Sequence, residues 1–348
     1  MTDDSRKTLR KHKKRKLRKR AFFILIPLFV IVVGLSYATY LYVKADSVLS
    51  DSYEDDGKEK SDLREEKVDP TEDNVSVLIA GVDASDVRKN AEDSRTDTLM
   101  LATLNKNDQS VKMLSIPRDS LVYIPEVGHE DKINHAHSYG GIEATRDTVE
   151  NLLDIPVDYY VKLNFEAFID VVDAVNGITV DVPYELHEQN SKDVQGAIHL
   201  LPGEQELNGE EALALARTRK LDNDIERGKR QQDIIKAVVD KSVSMSSLLK
   251  YDDIIEAVGS NMSTNMTFSE MKSFVSYGTA GKDLDFETYT LEGTDYQPSS
   301  TYYWQVDQTA LTETKHMLKQ HLNLETTATV SEEEGSSSTT SDESNSSY

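Results

Sequence analysis

The chain has 348 residues, no cysteine and a net charge of −23 at neutral pH. That length suits one large domain or two small ones with a sizeable core. The lack of cysteine excludes disulfide frameworks, zinc–thiolate sites and thiol nucleophiles, so packing alone must hold the fold.

The charge is unevenly spread. Residues 1–20 carry eleven Lys or Arg against two acids, Asp3 and Asp4, so the rest of the chain is more acidic than the total. A basic head on an acidic body reads as a nucleic-acid arm or a membrane anchor. Residues 21–43, AFFILIPLFVIVVGLSYATYLYV, decide between them, because this run of 23 residues contains no charge. At about 1.5 Å per residue it spans a bilayer core of about 30 Å. A cleaved signal peptide has a shorter apolar region, about 7–15 residues. The expectation is an uncleaved signal-anchor with one transmembrane helix. The preceding Lys/Arg cluster puts the N-terminus in the cytoplasm and residues 44–348 outside, a single-pass type II arrangement in the cell membrane. The basic head then meets anionic lipid heads of the bilayer, and no nucleic-acid partner is expected.

Residues 44–72 are charged and poor in large apolar groups, as in an extracytoplasmic stalk. The folded body is expected over 73–325, followed by an acidic, Ser/Thr-rich tail over 326–348 that is expected to be disordered. Within the body, VSVLIAGV (75–82) and DTLMLATL (97–104) are nearly continuous apolar runs, which suit strands buried on both faces. A third strand covers 111–116 and ends at Pro117. Residues 141–154 place Ile142, Val149, Leu152 and Leu153 on one helical face. A strand over 158–163 leads to Asn164, a cap for a helix with Phe165, Phe168, Ile169 and Val172 inward. Ile178, Val180 and Val182 alternate with polar residues, the period of a half-buried strand. Asn208 and Glu211 form a capping box for a helix over 209–216. A longer helix begins near Arg227 and buries Ile234, Ile235, Val238 and Val239. The alternation of strands and helices predicts a single layered α/β domain with a central mixed sheet flanked by helices.

No phosphate-binding P-loop, H-E-x-x-H, G-x-S-x-G or dinucleotide glycine motif is present in the sequence. Polar clusters at strand ends stand out instead, where α/β sheets build their sites. Asp83 follows the first strand, Arg95 and Asp97 open the second, and Arg118 and Asp119 follow the third. Any one of these is an ordinary turn residue; five beside three buried strands shift the balance. ARTRKLDNDIERGKRQQD (216–233) is a second cluster, with Arg217 and Arg219 after a helix. Asp224, Arg227 and Gln231 are spaced by three and four, on one helical face. Guanidinium forks suit phosphate oxygens. Carboxylates such as Asp83 and Asp97 suit Mg²⁺, which takes a few hard oxygens together with substrate phosphates. The combination points to a diphosphate substrate and phosphoryl transfer by charge neutralisation. In DKINHAHSYGG (131–141), Lys132 adds a phosphate contact, and His135 and His137 read as structural.

The motifs VLIAGVD, RTDTLMLATL, LSIPRDS, DKINHAHSYGG, DYYVKLNF, LNGEEALALARTRK and DNDIERGKRQQ follow one another in an order that resembles the LytR-CpsA-Psr family. The resemblance implies an α/β fold with a long apolar pocket for a polyprenyl chain, in a Gram-positive cell wall setting. It implies transfer of an anionic glycopolymer such as wall teichoic acid from an undecaprenyl-pyrophosphate carrier to peptidoglycan, through a phosphodiester on a muramic-acid hydroxyl. Asp83 and Asp97 match the family's magnesium aspartates. Arg95, Arg118, Arg217, Arg219 and Arg227 match the arginines around the pyrophosphate, and Asp224, Gln231 and Lys132 match further polar residues. Asp83, Asp97, Arg118 and Asp224 are the catalytic candidates, with the acceptor's base open among Asp83, Asp97 and Asp224. Two other readings stay open: a lipid-pyrophosphate hydrolase at the same site with water as acceptor, and a non-enzymatic, membrane-tethered wall-binding or regulatory module.

Overall fold

The computed structural model describes residues 36–324 except 38, 41, 45, 49, 51, 55–56, 83–94, 220–222, 243–261 and 280–283. Asp83, the basic head and the tail lie outside the described residues, as does most of the expected span 21–43. Among the described residues no helix is long and apolar enough to cross a membrane.

Fourteen strands are described: β1 (Val75–Val82), β2 (Thr96–Asn105), β3 (Ser110–Ser115), β4 (Leu121–Ile124), β5 (His129–Lys132), β6 (Tyr159–Leu163), β7 (Ile178–Val182), β8 (Leu186–Glu188), β9 (Ile198–Leu200), β10 (Gly203–Leu207), β11 (Met262–Thr264), β12 (Asp285–Thr290), β13 (Gly293–Tyr296) and β14 (Tyr303–Val306). The named helices are α1 (His135–Leu153), α2 (Phe165–Ala174), α3 (Gly209–Arg217), α4 (Asp224–Ser242), α5 (Phe268–Thr279) and α6 (Gln308–His321).

The central sheet runs β11-β6-β1-β2-β3-β12. It is mixed: β1 pairs antiparallel with β2 and parallel with β6, and β3 pairs parallel with β12. Alternation along β1 explains its continuous apolar run. Leu78 and Ala80 face a core shared with Val149 and Leu153 of α1 and Leu311 and Leu318 of α6. Val75 and Val77 face the opposite layer, with Tyr159, Met266 and Phe274. A separate cluster joins α2, α3 and α4 to the β7–β10 ribbon through Val172, Ile178, Leu215 and Ile234.

Local chemistry sets the helix starts. The Asn164 side chain accepts from Ala167 N, and Asn208 and Glu211 form a reciprocal capping box. Two expected starts are corrected. The helix expected from 141 begins at His135, with a break at Gly140 and Gly141, where Gly141 adopts φ 66°. The helix expected from Arg227 begins at Asp224, because the Asn223 side chain accepts from the amides of Ile225 and Glu226. Gly209 lets α3 press against α2: a Cβ there would lie 2.4 Å from the Ile169 carbonyl oxygen.

Part of the segment read as a stalk lies against the body. Arg64 forks the buried carboxylate of Asp158 with two bonds of 2.8 and 2.7 Å, Asp158 also accepts from Ser76 N, and Ser61 is buried. The same charge-rich composition that suggests a solvated linker supplies these docking contacts.

His321 lies near the same end of the sheet, where β1 begins. Its Nδ1 meets Thr103 Oγ1 at 2.8 Å, its Nε2 meets Ser110 Oγ at 2.8 Å, and its carbonyl accepts from Asn74 and Asn105. Burial pulls its pKa down to about 4 from the ordinary 6.5. The unfolded chain therefore takes up a proton between these values while the folded chain does not. His321 contributes fully above about pH 6.5, and stability falls by about 3 kcal/mol as the pH drops to about 4. Denaturant unfolding at pH 7 and pH 4 checks this: His321→Asn should lose most of that part of the pH dependence, and an unchanged slope would refute it.

Candidate functional site

The C-terminal ends of β1, β3 and β6 and the start of β2 meet at one edge of the sheet. β2 brings Asp97 there, Pro117 ends β3 and presents Arg118, α3 delivers Arg217 just before Arg219, and α4 begins with Asp224. The side chain of Gln232 seats α4 by donating to the carbonyls of Met113 (3.0 Å) and Tyr289 (2.7 Å). Gly228 allows the close approach, since a Cβ there would lie 2.6 Å from Ser115 Oγ.

Arg118 is the hub. Its Nη1 donates to Asp97 Oδ1 at 2.5 Å, and its Nε lies 3.7 Å from Asp119 and 3.9 Å from Asp224. Arg219 spans the same pair, 3.9 Å from Asp97 and 3.7 Å from Asp224. Arg227, nearly buried, lies 3.2 Å from Asp224 and donates to the Asp97 carbonyl at 3.4 Å. Lys132 joins through Asp119 at 2.8 Å, with its ammonium over the rings of Tyr302 and Tyr303. Among the described residues, the buried Nε atoms of Arg118 and Arg227 have no hydrogen-bond partner. The Arg118 Nε faces the carboxylates of Asp119 and Asp224 at ion-pair distance, so the guanidinium is held in place by its neighbours. Burial pushes the Asp224 carboxyl above the ordinary carboxylate range, against the pull of Arg219 and Arg118.

Behind this polar mouth lies a cavity of about 760 Å³, large for small-molecule pockets, which run about 300–1,000 Å³. Asp97, Arg118, Arg217, Arg219, Arg227 and Gln231 line its polar end. Val77, Ile79, Val161, Leu163, Phe165, Phe168, Val171, Ile235, Val238 and Val239 line the rest. All of these apolar residues but Val77 are half-buried: each borders the cavity, and Ile79, Val161, Phe168, Ile235 and Val238 also pack against core clusters. Of the residues expected inward on α2 and α4, Phe165, Phe168, Ile235, Val238 and Val239 line this cavity half-buried, with Phe168, Ile235 and Val238 also packed on core clusters, while Val172 and Ile234 line it fully buried.

The structure thus brings together Asp97, Arg118, Lys132, Arg219, Asp224 and Arg227. Arg217 and Gln231 sit on the cavity wall. Arg217 is held by the carbonyls of Gln189 (2.7 Å) and Asn190 (2.8 Å) and lies over the Phe165 ring, and Gln231 donates to the Ala216 carbonyl. Arg95 is exposed two residues before Asp97, and its charge is felt by the Tyr139 hydroxyl. His135 and Tyr139 both bind Asp131, consistent with a structural role. Sequence reasoning missed Asp119 as the bridge between Arg118 and Lys132, although SIPRD displays it. Tyr302 and Tyr303 carried no local signal. Buried Arg230 was also missed; it bonds the carbonyls of Leu215 and Thr218 and so positions the turn bearing Arg219.

An α/β sheet whose strand ends carry an arginine–carboxylate mouth over an apolar cavity defines the class. The chain belongs to the LytR_cpsA_psr family, whose sequence profile matches residues 39–320. It is 40% identical over 321 residues to the polyisoprenyl-teichoic acid–peptidoglycan teichoic acid transferase TagT of Bacillus subtilis, covering 90% of this chain and 98% of that one. It is 38% identical over 315 residues to the corresponding TagU of Bacillus subtilis, again covering 90% and 98%. A solved TagT with bound octaprenyl pyrophosphate lipid superposes with a TM-score of 0.63 at 37% identity, covering 77% of this chain and 98% of that one.

Proposed function

We propose that this chain is a phosphotransferase that moves an anionic glycopolymer, of the wall teichoic acid kind, from a polyprenyl diphosphate carrier to peptidoglycan. The observation that carries this is the junction of four cationic side chains with a deep apolar cavity. One ligand satisfies both halves: a diphosphate head on a long hydrocarbon tail. The relatives' names state this transfer, and the lipid in the TagT structure has this chemistry.

In the proposed reaction an acceptor hydroxyl on peptidoglycan attacks the phosphorus next to the glycopolymer. A new P–O bond forms, the bond to the second phosphate breaks, and the polyprenyl monophosphate leaves. Arg118, Arg219 and Arg227 neutralise the charge that develops on the phosphate oxygens. The hydroxyl proton passes to a carboxylate, and we favour Asp224, whose proton affinity burial raises and which lies among Arg118, Arg219 and Arg227. Asp97 offers hard oxygens at the mouth and is about one-third exposed (36%), which fits a Mg²⁺ ligand. With Asp83 it would hold Mg²⁺, which when bound adds positive charge beside the two phosphates.

The tether fits this substrate. The described residues between 36 and 50 are helical, and Tyr37, Tyr40, Tyr42 and Val43 are at least half exposed. Tyrosines clustered at the end of an apolar run suit the bilayer interface. We place 21–43 in the membrane with the domain outside, within reach of lipid-linked substrate.

The test is a reconstituted reaction of the membrane-embedded protein with a polyprenyl-diphosphate oligosaccharide and peptidoglycan. A phosphodiester-linked product that requires peptidoglycan and is lost on chelation is the expected result. Polymer release at full rate without peptidoglycan would instead establish a hydrolase. Binding with no turnover, unaffected by chelation, would establish a wall-binding module.

A further inference from the structure

We propose that Glu185, His187 and His199 form a binding site for a first-row divalent cation, with Zn²⁺ the best match, on the outer face of the β8–β9 ribbon. The placement follows from strand alternation. His187 and His199 are directly opposite each other in the antiparallel pair, and Glu185 is two residues before His187 on the same face. Leu186, Glu188 and Leu200 point inward and are buried, which fixes the register and turns the three ligand-type residues to solvent.

The side chains converge on one point. His199 Nε2 lies 2.9 Å and His187 Nε2 3.5 Å from the same oxygen, Glu185 Oε1. Ligand atoms about 2.0–2.1 Å from a tetrahedral zinc stand about 3.3 Å apart, and the two observed separations bracket that value. The imidazole rings are stacked, with centroids 4.0 Å apart and planes 9° apart, so one ring must rotate to aim its in-plane lone pair at a shared ion, a turn its exposed position permits. Two imidazoles and one carboxylate suit zinc more than magnesium or calcium. They leave a fourth position for water.

The site is separate from the arginine mouth but mechanically linked to it. The β8–β9 connection carries Gln189 and Asn190, whose carbonyls hold Arg217, and Ser191 and Asp193, which line the cavity. A cation closing the ribbon behind this loop would stiffen it.

The experiment is calorimetric titration of Zn²⁺ into chelator-stripped, untagged full-length protein, with Mg²⁺ as control and proton release measured in parallel. One equivalent of Zn²⁺ is expected to bind with proton release below neutral pH. His187→Ala and His199→Ala should each weaken it at least tenfold, and the double variant should abolish it. These exposed positions leave the fold intact, which circular dichroism verifies. Absence of zinc binding in the wild type, or undiminished binding by the double variant, would overturn the assignment.

Discussion

Arg118→Ala is expected to slow glycopolymer transfer by about 10²–10³-fold, the loss typical of removing one preorganised donor to a developing anion. Arg118 touches Asp97, approaches Asp119 and Asp224, and holds its buried Nε without a hydrogen-bond partner among the described residues. Its side chain is 24% exposed, and Arg219 and Arg227 stay beside Asp97 and Asp224 when it is lost. Partly exposed ion pairs contribute about 0–1 kcal/mol each, so the melting temperature should move by only a few degrees. Arg118→Lys restores the charge without the fork and should fall between the two. Single-turnover transfer rates with melting curves on the same preparations separate the effects. A wild-type rate in a folded Arg118→Ala protein would remove the arginine mouth from the mechanism.

The second large effect concerns the cavity. The double variant Val171→Trp/Val238→Trp should fill it from α2 and α4, where both valines are half-buried against open space. Excluding a single isoprene unit forfeits five buried carbons at about 0.8 kcal/mol each, about 4 kcal/mol or up to about 10³ in affinity. Relaxation of the lipid should soften this to between about tenfold and 10³-fold for long-chain carriers. A carrier analogue with only two isoprene units should be much less affected. The long-to-short selectivity ratio is therefore the quantity to measure. An unchanged ratio would mean that the tail binds elsewhere.

Much of the fold is legible locally. VSVLIAGV reads as a strand buried on both faces because the chain covers both sides of the sheet, and Asn164 and Asn208 cap helices because side-chain oxygens satisfy free amides there. The start of α1 is not, because Gly140 and Gly141 look like a break and the break lies inside the helix. Nor are Tyr302 and Tyr303, which reach Lys132 from β14 and the residue before it through pairings remote in sequence.

By itself the sequence determined the charge asymmetry, the uncharged run over 21–43, the central strands and most of the polar residues of the mouth, because these depend on residue type and short-range spacing. Only the tertiary structure decided which apolar residues are core and which line a cavity. Phe168 and Val172 read alike along α2 and both border the cavity, yet Val172 is fully buried within a core cluster and Phe168 is only half-buried against it. The hydrophobic pattern records that a side chain avoids water, and whether a neighbour or a void meets it depends on how separate elements pack.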